Sequence, residues 1–243
     1  GQRVAVTGRG LEGISMEVQA PADMAVNLGT IKGDAVGIFA GQLKHSGLIQ
    51  ASQANLEGGR VVLRASGDTI VEGNGKILAS GTQGGQVDVL GQRVALADRT
   101  AIDVSGERGG GSLRIGGDFQ GKNEQVPNAR VTFVGGDVAL NADAKETGQG
   151  GKIIVWADDT TRYYGKAWAK GGASAGDGGF VEVSGKQYLD FRGLVDTTAI
   201  RGQAGTLLLD PAELRIENAA NSNLDTGTLP PNFETLAGAS VLD

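Results

Sequence analysis

A pair of small residues, Gly-Gly in five of six cases, returns along this chain about every 26 residues. The pairs are Gly58-Gly59, Gly84-Gly85, Gly110-Gly111, Gly150-Gly151, Gly178-Gly179 and Ala204-Gly205; the steps between their first residues are 26, 26, 40, 28 and 26. Three residues beyond the first of each pair stand Val61, Val87, Leu113, Ile153, Val181 and Leu207. Two further on stand Leu63, Val89, Ile115, Val155, Val183 and Leu209. Both positions are apolar every time, while the position between them is mixed. Alternation with period two describes a strand with one buried face. A coil built this way cannot bury its apolar face alone, so self-similarity at this period specifies a solenoid of stacked coils.

Each unit divides into three strand-like runs. The unit from Gly58 gives Val61–Ala65, Thr69–Glu72 and Lys76–Ser80, separated by the turn signals Ser66-Gly67-Asp68 and Gly73-Asn74-Gly75. The reading is all-β: a parallel β-helix with three short strands per coil and about eight coils of roughly 26 residues, spanning residues 1–217. Ile77, Ala79, Ile102, Val104, Val138, Leu140, Ala167, Ala169 and Leu194 are assigned to the core of the third face. Upstream, Met16–Val18, Met24–Val26, Val36–Phe39 and Leu48–Gln50 read as strands of two further coils. The long step between Gly110 and Gly150 places a loop excursion at about 117–130, where a solenoid usually varies its surface; a plain surface excursion is the simpler account. From 218 to 243 the periodicity fades into an irregular linker or the start of another module.

Forty-two glycines against five prolines argue against collagen-like or low-complexity sequence. The glycines are expected at turns that need positive φ. No long stretch shows helical apolar spacing; Asp210-Pro211-Ala212-Glu213 allows one short helical turn. A net charge of −6 with scattered signs gives no footprint for nucleic acid or acidic membranes. There is no cysteine, and no apolar run long enough for a transmembrane helix. The N-terminus, Gly-Gln-Arg-Val-Ala-Val, is not a signal peptide and begins inside the pattern, so the chain reads as a fragment of something longer.

The wording of the repeats goes beyond generic glycine periodicity. Gly150-Gly151-Lys152-Ile153-Ile154-Val155-Trp156-Ala157 runs on to Tyr163-Tyr164-Gly165. After it come Gly178-Gly179-Phe180-Val181-Glu182-Val183-Ser184-Gly185-Lys186, Leu189-Asp190-Phe191-Arg192-Gly193 and Gly205-Thr206-Leu207-Leu208-Leu209-Asp210-Pro211. With Asn27-Leu28-Gly29-Thr30-Ile31-Lys32 and Val36-Gly37-Ile38-Phe39-Ala40-Gly41 upstream, roughly residues 10–217 resemble the filamentous-haemagglutinin-like exoproteins of bacterial two-partner secretion. The resemblance implies a right-handed β-helix, exported through a dedicated outer-membrane transporter to the outside or surface of the cell, and often an adhesin. No Asn-Pro dipeptide of the family's secretion-domain motifs occurs, so the segment looks like the region that follows that domain.

Catalytic chemistry is hard to find. The single histidine, His45, sits beside Ser46 in an apparent turn and reads as a surface residue; no Gly-X-Ser-X-Gly occurs. Asp158-Asp159 resembles a glycosidase carboxylate pair, but neighbours on a strand point to opposite faces. Asp177 reads as a turn residue. No catalytic residue, cofactor or metal is assigned. The candidate contact residues are aromatic: Trp156, Tyr163, Tyr164, Trp168 and, on the excursion, Phe119. Trp156 and Trp168 fall at outward strand positions, where they can stack on sugars or anchor a partner; the bland account is that they cover a rod face or pack beneath the loop. The reading is a non-enzymatic adhesin-like stalk meeting a host-cell receptor or glycan. Its rivals are the stalk of a contact-dependent toxin and a β-helical polysaccharide-cleaving enzyme.

Overall fold

The computed structural model describes residues 2–5, 15–18, 23–53, 57–210, 214–216 and 240–242. Three parallel sheets of seven strands each wrap one core. The first sheet holds Ala35–Ala40, Arg60–Ala65, Gln86–Leu90, Ser112–Ile115, Lys152–Ala157, Phe180–Gly185 and Thr206–Leu209. The second holds Met24–Asn27, Gln42–His45, Asp68–Val71, Arg93–Leu96, Val131–Val134, Thr160–Tyr163 and Tyr188–Phe191. The third holds Thr30–Gly33, Leu48–Ala51, Lys76–Leu78, Ala101–Asp103, Ala139–Asn141, Lys166–Trp168 and Leu194–Asp196. This is the three-faced β-solenoid expected, with seven turns rather than about eight. At a ladder spacing of about 4.8 Å the stack is roughly 30 Å long.

Register follows the apolar alternation. On the first sheet Val61, Val87, Leu113, Ile153 and Val181 pair in one column, and Leu63, Val89, Ile115, Val155 and Val183 in another. All ten are fully buried. A one-residue slip would turn both columns to the outer face, so burial itself holds the pairing. The third sheet contributes Ile49, Ile77, Ile102, Leu140 and Ala167. There Leu194 departs from expectation: it pairs with Lys166 and is half exposed, and Val195 takes the inward place beside Ala167.

The glycine pairs have a different cause from the one expected. Among the described residues, positive-φ glycines are Gly73, Gly116, Gly121, Gly148 and Gly176, none of them in one of the six repeating pairs. What the pairs require is space between coils. A Cβ on Gly84 would lie 2.7 Å from Gly111 Cα, and closer still to Val104 O and Gly111 N of the next coil. A Cβ on Gly85 would lie 2.7 Å from Gly58 C of the coil before, and closer to Gly59 O. The first glycine of each pair thus meets the following coil and the second the preceding one. The same holds at Gly58, Gly110, Gly150 and Gly178, each crowded by the second glycine of the next pair. Ala204 occupies the first place where no further pair follows among the described residues, so its methyl meets no such neighbour.

Between the first and second sheets, threonines tie successive coils. Thr69, Thr132 and Thr161 hydroxyls donate to Leu90, Trp156 and Ser184 carbonyls at 2.7 Å, each one coil ahead. All three are buried, so the hydroxyls satisfy carbonyls that the turning backbone leaves free.

His45 is inside, not on the surface. It closes the strand Gln42–His45 and faces inward in the column that continues through Val71, Leu96, Val134, Tyr163 and Phe191. Asn27 Nδ2 donates to its Nδ1 at 3.1 Å, and its Nε2–H donates to Lys76 O at 3.2 Å. Burial holds the imidazole's pKa below its ordinary 6.5, outweighing backbone hydrogen bonds with Lys76 and Asn27 that favour the charged ring.

The first residues do not continue the stack. Gln2–Ala5 pairs antiparallel with Ser15–Val18, apart from the three parallel sheets. Downstream, Leu214–Ile216 pairs in parallel with Ser240–Leu242. The helical turn considered after Asp210, and most of the 218–243 stretch, lie outside the described residues.

Candidate functional site

The outer face of the first sheet carries the chain's main elaboration. In other coils seven or eight residues carry the backbone from the start of the first strand to the start of the second, as from Arg60 to Asp68. Between Ser112–Ile115 and Val131–Val134 lies the insertion 116–130 instead. It leaves through Gly116, which has a φ of 74°, and makes a short 3-10 turn at Phe119–Gly121. It then folds back as a strap over the outward side chains of neighbouring coils.

Charge and ring contacts hold the strap. Arg114 Nε and Nη2 donate to the two Asp88 oxygens at 2.6 and 2.8 Å, and Arg114 Nη1 to Asp118 at 2.9 Å. Bidentate charge-assisted pairing of this kind is among the stronger polar contacts. Asp118 accepts as well from its neighbour Phe119 N–H at 2.7 Å and from Asn123 Nδ2 at 2.7 Å. Burial disfavours the Asp118 carboxylate, but the bonds from Asn123, Phe119 N–H and Arg114 outweigh it and keep its pKa below the usual value. Two coils further on, Gln120 N–H donates to both Glu182 oxygens at 3.2 Å. Glu182 is fully buried, and desolvation raises its pKa against the bonds from Gln120 N–H.

Trp156 lies beneath this strap. Its outward position on the strand is as expected, but its exposure is corrected to 4 %. The indole Nε1–H donates to Asp158 Oδ1 at 3.0 Å, and Asn128 Nδ2 donates to the same oxygen at 3.0 Å and to Gly121 O at 2.9 Å. Gly121 crosses directly over the indole; a Cβ there would lie 2.6 Å from Trp156 Cε2 and Nε1. Phe119, by contrast, is 39 % exposed. It meets the Phe180 ring edge-on at 5.8 Å, with Lys152 Nζ 5.0 Å from its centroid.

The other aromatic candidates lie on separate faces. Tyr163 is corrected from a surface contact to a core residue: it is fully buried and stacks on Phe191 at 5.4 Å with planes 5° apart. Its position, ending the strand Thr160–Tyr163, points it down the inward column that Val134 also occupies. Its hydroxyl has no hydrogen-bond partner among the described residues, and burial raises its pKa. Tyr164, one residue on, turns outward. It packs edge-on against Phe133 at 5.9 Å and donates to Asp190 Oδ2 at 2.7 Å, with the Arg192 guanidinium 5.4 Å from its ring. Trp168 is half-buried on the third sheet, between Asn141 and Asp196 in the ladder. The five residues therefore form no single cluster.

The tempting carboxylates do not converge on a substrate either. Asp158 receives the Trp156 and Asn128 donors, and Asp159 lies 3.5 Å from Arg130. Asp177 accepts the backbone N–H of Gln203 at 2.8 Å, a turn role across coils. Among the described residues no group of three His, Asp or Glu is placed to hold a metal ion. Among the same residues no helix is long and apolar enough to cross a membrane.

Sequence reasoning missed Asp88, Arg114, Glu182 and Phe180 as parts of this face. They sit at outward places that the repeat alignment showed only as mixed; nothing in the alternation marks which of them an insertion will cover.

No protein-family model matches the chain, nor does any curated protein. A solved structure does: the crystal structure of the HMW1 secretion domain from Haemophilus influenzae, with a TM-score of 0.65 and 31 % identity over 80 % of this chain. The chain spans about half of that structure, 51 % of its length. The sequence suggested a place after a secretion domain, whereas the likeness is to a secretion domain itself. The chain thus has among its solved neighbours a two-partner-secretion exoprotein domain of the filamentous-haemagglutinin-like kind that its repeats resemble.

Proposed function

We propose that this chain is a rigid, non-enzymatic β-solenoid segment of a secreted bacterial exoprotein. It passes through an outer-membrane transporter and then holds other parts of its parent protein away from the cell. The observation that carries the reading is the unbroken register of three parallel sheets over seven turns, joined to the likeness to a secretion domain. Hydrogen-bond ladders along the axis and close-packed glycine corners resist bending, and neither asks for a cofactor. Adhesion to a host-cell receptor or glycan is the role such a stalk serves best.

The test is export of the full exoprotein, with and without residues 35–210, from cells that carry or lack the transporter. Release that depends on both the transporter and this segment supports the reading. Equal retention in all four cases refutes it. Adherence of the exporting cells to cultured epithelial cells then separates an adhesin from a toxin stalk, which would injure target bacteria instead. New reducing ends in a polysaccharide digest would favour the enzyme.

A further inference from the structure

Beside the strap, on its side toward the first coils, the outer face of the first sheet opens into a cleft. Two cavities, of 370 and 540 Å³, share Phe39 and Arg64. Ala35, Gly37 and Val62 line the sheet side, and Asn123, Gln125 and Val126 of the strap stand opposite. Gly37 lies at the outward place that Val62 and Asp88 fill in the next two coils, so the sheet is lowest there.

The charge of this cleft runs against that of the chain. Among the described residues its lining carries the guanidiniums of Arg60, Arg64 and Arg114, the last already paired with Asp88 and Asp118, and the one carboxylate of Asp88, on a chain of net charge −6. Asp88 is already satisfied by the two bonds from Arg114 and by Gln86 Nε2 at 3.0 Å, and Arg60 Nη2 stands 3.7 Å away. Arg64 makes no ion pair or side-chain hydrogen bond among the described residues. Arg60 and Arg64 point the same way from one strand, about 13 Å apart at the usual rise per residue. Phe39 is the direct ladder partner of Arg64, which sets a flat apolar ring beside a planar donor fork.

We propose that this cleft binds an acidic oligosaccharide, with carboxylate or sulfate groups on Arg60 and Arg64 and a sugar ring against Phe39. A ring that carries a charged group matches an aromatic face next to a guanidinium, and the amides of Gln125 and Gln92 on the walls suit hydroxyl groups. Polyglutamate, an acidic peptide without rings, would meet the charges but leave Phe39 unmatched. The proposal adds a binding role to the stalk reading and relies on that reading only for the segment being displayed outside the cell.

The purified chain is titrated by calorimetry with oligogalacturonate and with a chondroitin sulfate oligosaccharide. A malto-oligosaccharide of equal length and polyglutamate serve as controls. Both acidic sugars are expected to bind and the neutral one not, with affinity falling as salt rises. R64A is expected to weaken binding roughly tenfold, R60A/R64A further, and F39L to weaken the sugars with its apolar volume largely kept. K145A, outside the cleft lining, leaves affinity unchanged. Far-UV circular dichroism shows that each variant keeps the solenoid. Absence of binding to either acidic sugar, equal binding of polyglutamate, or indifference to R60A/R64A overturns the proposal. Export of the parent protein is unaffected by these outcomes, so the stalk reading fails or stands separately.

Discussion

Replacing Gly84 by alanine asks whether the small-residue pairs are there for the coil-to-coil approach. The added methyl would sit 2.7 Å from Gly111 Cα and nearer still to Val104 O and Gly111 N, all backbone atoms that cannot rotate away. Relief requires the two coils to part at this corner by something close to an ångström. Three hydrogen bonds cross or brace it: Gly84 N–H to Gly109 O at 2.9 Å, Gly85 N–H to Ala79 O at 2.8 Å and Gly111 N–H to Val104 O at 2.7 Å. Losing most of them costs about 0.5–1.5 kcal/mol each, and the remaining overpacking strain about 1–3 kcal/mol. The expected loss is about 3–5 kcal/mol, which for a chain of this size lowers the melting temperature by roughly 10 °C. Ala204→Gly is the control: with no following pair in contact, only the backbone-entropy term acts, at most about 1 kcal/mol. Scanning calorimetry on wild type, G84A, G110A and A204G reads all of this. If G84A and G110A melt within a degree or two of wild type, or if A204G costs as much as they do, the close-approach account is wrong.

Three further outcomes are expected. Tyr163→Phe removes a buried hydroxyl that has no partner among the described residues, so it should be neutral or stabilise by about 1 kcal/mol, whereas Tyr163→Ala should cost about 3–5 kcal/mol; urea unfolding distinguishes them. His45 and Glu182 should give opposite pH dependences. The His45 pKa is lowered on folding, so its neutral form's contribution is complete above 6.5 and is lost as pH falls through the lowered value; the Glu182 pKa is raised, so stability is lost as pH rises above 4.5 through the raised value. His45→Val should remove the acid-side loss and Glu182→Gln the other, each measured as unfolding free energy against pH. Finally, replacing 117–128 by a two-residue link should uncover Trp156 and shift its fluorescence emission to the red, while the far-UV spectrum keeps its β signature.

Much of this molecule is legible in its sequence because a solenoid is nearly one-dimensional: each coil touches only its neighbours, so a local repeat states the long-range contacts directly. The columns through Val61 and Leu63 could be aligned from the glycine pairs alone, and the ladder pairs the same residues. The last coils are where alternation misleads. Leu194 looks like core, yet Val195 faces inward, because a strand of three residues gives too few positions to set its phase.

The candidate site was less legible, and for a consistent reason. Period two tells whether a side chain points in or out, but not what covers the outside. Trp156 points outward and is buried all the same, under an insertion whose Asp118 and Gln120 are held by Arg114 of its own coil and Glu182 two coils on. Tyr163 looked like half of an exposed pair with Tyr164; its phase in the strand sends it to the core and Tyr164 to the surface.

The sequence by itself determined the coil, its three strands and the corner that must be small, since these follow from spacing and side-chain size. Only the tertiary structure decided why the corner is glycine, which coils the insertion spans, and where charge is left uncompensated. Those depend on distances between backbones and side chains of separate coils, which no single repeat contains.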